Sequence, residues 1–141
     1  MTSSAVTSAA LLVQLKPLLK RLTDDLISRV STEVVLRDEL SRAWGGLRDR
    51  QRTAEPFELW VEGYAQQVAA AWVLSALFVR VLEDRGLLVR RRLAGPGAED
   101  SEQQFRKLFL HLGGRDYLHV VFDEVASVAS LADVFDREHN P

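Results

Sequence analysis

The sequence contains no cysteine. A disulfide scaffold, a cysteine-ligated zinc site and a cysteine nucleophile are therefore excluded, and nothing points to an oxidising compartment. An excess of positive charge is missing too: 18 Lys and Arg stand against 20 Asp and Glu, for a formal net charge of −2. A generally basic nucleic-acid binder draws its affinity from counterion release, and this chain is not one, although a local basic patch is compatible with the balance. No stretch alternates apolar and polar residues at period two, so no sheet is expected. Internal repeats and low-complexity tracts are also absent. The opening MTSSAVTSAALLVQL has no basic segment before its apolar residues, which run on into an amphipathic pattern and not into a cleavage site. No secretory signal is read there, and a cytoplasmic location is the expectation.

What is present is helical periodicity, in a chain of 141 residues that can close over a real core as one domain, residues 1–141. Leu11, Leu12, Leu15, Leu18, Leu19, Leu22, Leu26 and Ile27 are spaced as one helical stripe ending at Val30. Pro17 falls inside it, which predicts a helix to about Arg29 with a disturbed start. A second helix is expected to open at Ser31 or Thr32, with Leu36, Leu40, Trp44 and Leu47 as its stripe and Asp38 paired to Arg42. Gly45 and Gly46 weaken its last third. After the linker RDRQRTAE, Pro56 suits a first helical residue, and a long helix is predicted to about Arg85, closed by Gly86 in a left-handed cap. Ser101 and Gln104 have capping-box spacing ahead of Phe105, Leu108, Phe109 and Leu112, with Gly113 and Gly114 as the stop. Asp116 can cap a fifth helix bearing Leu118, Val121, Phe122, Val125 and Val128. The fold expected is all-α: an irregular bundle of about five helices with one long central helix.

That long helix contains the stretch AAAWVLSALFVRVLEDRGLL, residues 69–88. Between residues 68 and 79 only Ser75 interrupts the apolar run, and Arg80 follows; a membrane span needs ~20 predominantly apolar residues, so no membrane association is expected. An all-round apolar run predicts a helix buried on most sides, with Trp72, Val73, Leu74, Leu77 and Phe78 at the centre of the core. Arg80 should be half buried and needs carboxylates, which Glu83 and Asp84 supply at the right spacing. This charged end, Arg80, Glu83, Asp84 and Arg85, reads either as a locally paired helix terminus or as an interdomain contact. Trp60 and Tyr64, one turn apart, are further candidates for an interdomain surface.

Arg90, Arg91 and Arg92 are the densest positive charge, and their candidate role is contact with DNA phosphates; the plain alternative is a solvated loop. Arg48, Arg50 and Arg52 form a weaker group. His111, His119 and His139 lack paired metal-ligand spacing, so no metal site is expected.

The segments AAAWVLSALFVRVLEDRGLL, RRLAGPG, RDYLHVVFDEVASV and VFDREHNP, in this order, resemble the N-terminal region of the adenine-specific DNA methyltransferases of the phage growth limitation (Pgl) system, the type 2 form of bacteriophage exclusion. The shorter core F-x-R-x-x-E-D-R-G-L resembles strings that precede the catalytic domain in large restriction–modification methyltransferases. The resemblance runs from about Leu11 to Pro141. It implies a larger parent that binds S-adenosylmethionine and methylates the N6 amine of an extruded adenine. Its partners would be the rest of the methyltransferase chain, duplex DNA and other phage-defence proteins. The glycine-bearing cofactor loop and the Asn-Pro-Pro-aromatic motif of that chemistry are not found here; Asn140 and Pro141 follow charged residues, not an apolar strand. No catalytic residue and no cofactor site are therefore assigned. The chain reads as an N-terminal helical accessory fragment, inactive alone, or as a stand-alone helical protein-interaction module that ignores DNA.

Overall fold

The structure, a computed structural model, describes residues 8–94 and 97–127. Among the described residues five helices follow one another: α1 (Ser8–Thr32), α2 (Val34–Asp49), α3 (Phe57–Asp84), α4 (Ala98–Leu108) and α5 (Gly114–Ala126). No strand occurs among the described residues, so the all-α expectation is borne out. The VFDREHNP segment and the predicted position of Val128 lie outside the described residues. The chain divides into two compact units, Met1–Ala70 and Ala71–Pro141, and the division falls within α3.

In the first unit, α1 runs unbroken through Pro17. Pro17 withholds one amide from the ladder, but it and Val13, whose carbonyl loses that donor, are both exposed, so water can serve the freed carbonyl. The stripe of α1 is narrower than its leucines suggest: Val30 and Thr23 are buried, while Leu12 and Leu18 are exposed. Thr23 satisfies its hydroxyl by donating to the Leu19 carbonyl at 2.9 Å. The start of α2 also differs from expectation. Ser31 and Thr32 belong to α1 and donate their hydroxyls backward, to the carbonyls of Ile27 and Ser28 at 3.0 Å each. The cap position passes to Glu33, whose extended backbone separates the two helices and whose side chain accepts from Arg29 at 2.9 Å. Arg42 donates to the carbonyl of Asp38 at 3.4 Å, in place of the predicted carboxylate pairing. Val30, Leu40 and Val61 form the buried cluster here, with Leu36, Phe57, Trp60 and Tyr64 packed on it.

In the second unit the core is Val79, Leu82, Phe105, Tyr117, Val121, Phe122 and Val125, with Trp72, Phe78, Leu88 and Leu93 among the side chains leaning on it. Each fully buried apolar side chain contributes roughly 1.5–3 kcal/mol. The 69–88 stretch is thus not buried all round. Leu74 is exposed, Val73 and Leu77 are half-buried, and the buried positions of this half of α3 are Ser75, Val79, Leu82 and Glu83. At 28 residues α3 is long and apolar enough to cross a membrane by length and composition, so the run between residues 68 and 79 understated it; core helices pass the same test. Gly86 closes the helix as expected, at φ +67°, with Gly86 N–H donating to the Glu83 carbonyl at 3.1 Å and Leu87 N–H to the Leu82 carbonyl at 2.9 Å.

α4 starts earlier than the Ser101 signal. Gly97, at φ +88°, precedes it, and the Ser101 hydroxyl donates back to the Gly97 carbonyl at 2.9 Å. It also ends earlier, at Leu108, so Leu112 and Gly113 belong to the connection. Asp116 does serve the start of α5, but from inside it, accepting the Gly113 N–H at 2.8 Å. Gly113 has no side chain to return the bond, so only half of a capping box exists.

Candidate functional site: a carboxylate-pinned arginine loop

The charged end of α3 and the arginine loop come together in the second unit around Glu83. Its side chain has 0% exposure, an unusual position for a carboxylate, which costs several kcal/mol to desolvate unless it is paired and hydrogen-bonded. Helix α3 delivers it to the core face three residues after Arg80, and the loop that follows the Gly86 turn closes back over it. Glu83 Oε1 accepts the backbone N–H of Arg92 at 2.5 Å and of Leu93 at 2.9 Å. Oε2 accepts that of Ala94 at 3.3 Å. Three successive amides thus converge on one anion, a nest filled from within the chain.

Arg80 completes the charge balance from the same helix. Its Nη1 lies 3.7 Å from Glu83 Oε2 and its Nη2 2.9 Å from Asp84 Oδ1. The pairing read from the i+3 and i+4 spacing is present. Arg80 Nη1 and Arg92 Nε are buried and make no hydrogen bond among the described residues.

Arg92 is held on three sides. Its amide is on Glu83, its carbonyl accepts the Tyr117 hydroxyl at 2.9 Å, and its Nη2 donates to Glu124 Oε1 at 2.7 Å. With 21% of its side chain exposed, it is the tie of the loop to α5. Burial pushes the Tyr117 hydroxyl above its ordinary pKa, opposed by the neighbouring Arg92 charge, so it stays a donor to that carbonyl. Leu88 and Leu93, on either side of the tip, both pack on the core. Between them Val89, Arg90 and Arg91 are exposed, as are Arg85 and Leu87 before them. The three nominated loop arginines therefore separate: Arg90 and Arg91 project, and Arg92 is built in.

Trp60 and Tyr64 sit in the first unit and are half-buried. Their rings stack at 5.3 Å and 17°, and the series continues through Phe57 at 6.4 Å to Trp44 at 5.8 Å. Arg37 lies 5.2 Å over Phe57, and Arg48 5.2 Å over Trp44. Trp44 Nε1 donates to the Glu55 carbonyl at 3.0 Å, and Arg37 pairs with Glu58 at 2.8 Å. These contacts tie α2 to the start of α3. No group of His, Asp and Glu that could hold a metal ion occurs among the described residues. His119 meets the Trp72 ring edge at 4.8 Å, and His111 is exposed.

Sequence reasoning missed the acceptor role of Glu83, the pairing of Arg92 with Glu124, and Tyr117. The available signal for the first was its neighbours: an acid three residues after Arg80 and next to Leu82 lies on the face that carries Val79.

A protein that this chain resembles is a methyltransferase. It is the adenine-specific methyltransferase PglX of Streptomyces coelicolor, 28% identical over 138 residues. That match takes in 94% of this chain and 11% of the relative, so the chain spans a small part of the length of that enzyme. The resemblance drawn from the sequence motifs is supported at this level: the chain is similar to a region of an adenine-specific methyltransferase. No family model matches the chain, and no solved structure does.

Proposed function

We propose that the chain is a helical accessory region of an S-adenosylmethionine-dependent adenine-N6 DNA methyltransferase in bacterial phage defence. It would support the catalytic part and help to engage DNA or partner proteins. The observation that carries this reading is the match itself: similarity along 94% of the chain to a fraction of an adenine-specific methyltransferase. The site agrees with it. Glu83 spends its charge on backbone amides and Arg80 on two carboxylates, which is the chemistry of a scaffold that holds a loop in place. Methyl transfer is then the work of other parts of the parent enzyme. The purified chain, incubated with labelled S-adenosylmethionine and unmethylated duplex, is expected to incorporate no methyl groups.

The natural reading frame beyond the Pro141 codon tests the parentage. Continuation into a glycine-bearing cofactor loop and an Asn-Pro-Pro-aromatic motif supports the methyltransferase. A stop codon there would end this reading and leave a stand-alone helical interaction protein.

A further inference from the structure

Residues 85–92, RGLLVRRR, hold four arginines and no acid, in a chain whose net charge is −2. Arg92 is neutralised by Glu124. Arg85, Arg90 and Arg91 are exposed and make no ion pair among the described residues. Set among these guanidiniums are two exposed aliphatic side chains, Leu87 and Val89, the latter at 103% of its reference exposure. Fully bared valine at a loop tip has no role in the packing of its own unit. The tip is also fixed on both sides: Leu88 packs on the core before it, and after it the Arg92 backbone is held at both its N–H and its carbonyl. Such pre-organisation lowers the ordering cost of binding.

We propose that residues 85–91 are a duplex-DNA contact loop, in which Arg85, Arg90 and Arg91 grip phosphates while Val89, with Leu87, enters the groove as an apolar wedge. This rests on the reading of the chain as part of a DNA-modifying enzyme. Guanidinium groups match phosphate geometry through paired N–H donors, and all the cations here are arginine. Proteins that bind the minor groove combine basic side chains with inserted apolar ones, leucine among them, that wedge between base steps. Charge complementarity thus selects a polyanion, and an apolar tip carried between anchored flanks is suited to entering the groove of a stacked duplex. Glu83 is a positioning residue in this scheme: it touches no DNA and sets where the tip stands.

The test is fluorescence anisotropy of a labelled 20-base-pair duplex with the full 141-residue chain at several salt concentrations. Wild type is compared with R90A/R91A and with L87S/V89S. All four side chains are exposed, and circular dichroism confirms that each variant is folded. Two lost phosphate contacts should flatten the slope of log affinity against log salt by about 2, since each contributes about 0.9. L87S/V89S should weaken binding about tenfold with the salt slope unchanged, the mark of a contact that carries no charge. Wild type that fails to bind at low salt, or R90A/R91A that binds like wild type, would overturn the proposal. So would binding to anionic phospholipid vesicles without binding to duplex, which would make the tip a membrane contact. L87S/V89S with wild-type affinity would remove the wedge. A stop codon after Pro141 would end the methyltransferase reading without altering this result, and an absence of duplex binding with an open frame would end the loop proposal alone.

Discussion

Replacing Glu83 by alanine removes the acceptor for three consecutive amides and one of the two carboxylates facing Arg80. The size of the effect can be worked from the geometry. A hydrogen bond to a charged acceptor contributes about 1.5–3 kcal/mol net, and those from Arg92 and Leu93 are short. The Ala94 bond at 3.3 Å adds less. The full sum is not lost, because Arg92, Leu93 and Ala94 are only half-buried and can turn to water. Arg80 also keeps Asp84. The expected loss is therefore about 3–5 kcal/mol, the range for breaking a buried pair from one side. Glu83→Gln keeps one acceptor oxygen for two of the amides but turns an N–H donor toward the third and toward Arg80, and should lose about 1.5–3 kcal/mol. Urea unfolding followed by far-ultraviolet circular dichroism reads the difference, with the alanine midpoint falling by about 2 M. Hydrogen exchange gives the local counterpart: the amides of Arg92, Leu93 and Ala94 should lose protection in both variants. If both variants unfold within about 0.5 kcal/mol of wild type and those amides exchange as before, the carboxylate does not pin the loop.

Tyr117 holds its proton more tightly when folded than when unfolded, because burial disfavours the phenolate. Stability should be undiminished below about pH 10 and fall as pH rises from there through the raised folded value; urea midpoints taken from pH 8 to 11 should show the fall, and Tyr117→Phe should remove that part of it. Phe105 is buried between Phe109 at 5.1 Å and Tyr117 at 5.4 Å, so Phe105→Ala should cost about 3–5 kcal/mol, seen in the same denaturation assay. Two glycine substitutions should act in opposite directions. Gly86→Ala places a side chain at φ +67° and should cost about 1 kcal/mol, whereas Gly63→Ala, in mid-helix with open space around the added carbon, should gain about 0.5–1 kcal/mol by thermal unfolding.

How far the sequence could be read depended on whether a signal was local. The stop at Gly86 and the pairing of Arg80 with Asp84 are set within one or two turns of helix, and both were legible. The starts of α2 and α4 were not. Serine and threonine serve equally as caps or as donors to a carbonyl one turn back, and Ser31, Thr32 and Ser101 all take the second option. The apolar run of α3 overstated burial because its composition does not say how many neighbours surround it; Leu74 has solvent where a core contact was expected. Least legible was the loop. Three adjacent arginines look alike in sequence, and what distinguishes Arg92 from the two before it lies far along the chain: Tyr117 on its carbonyl, 25 residues away, and Glu124 on its guanidinium, 32 residues away.

The pin on Glu83 also bears on how chains of this kind can drift apart over time. The first donor, Arg92, lies nine positions after the acid, and the next two lie ten and eleven positions after it. An insertion between Gly86 and Arg92 would push the three amides out of register with the carboxylate, while one just beyond Ala94 would leave them in place. Among related sequences, gaps should therefore gather after the alanine, and the acid should keep its fixed interval to the arginine run. That interval, more than the identity of any single loop residue, is the mark by which distant copies of this region can be found.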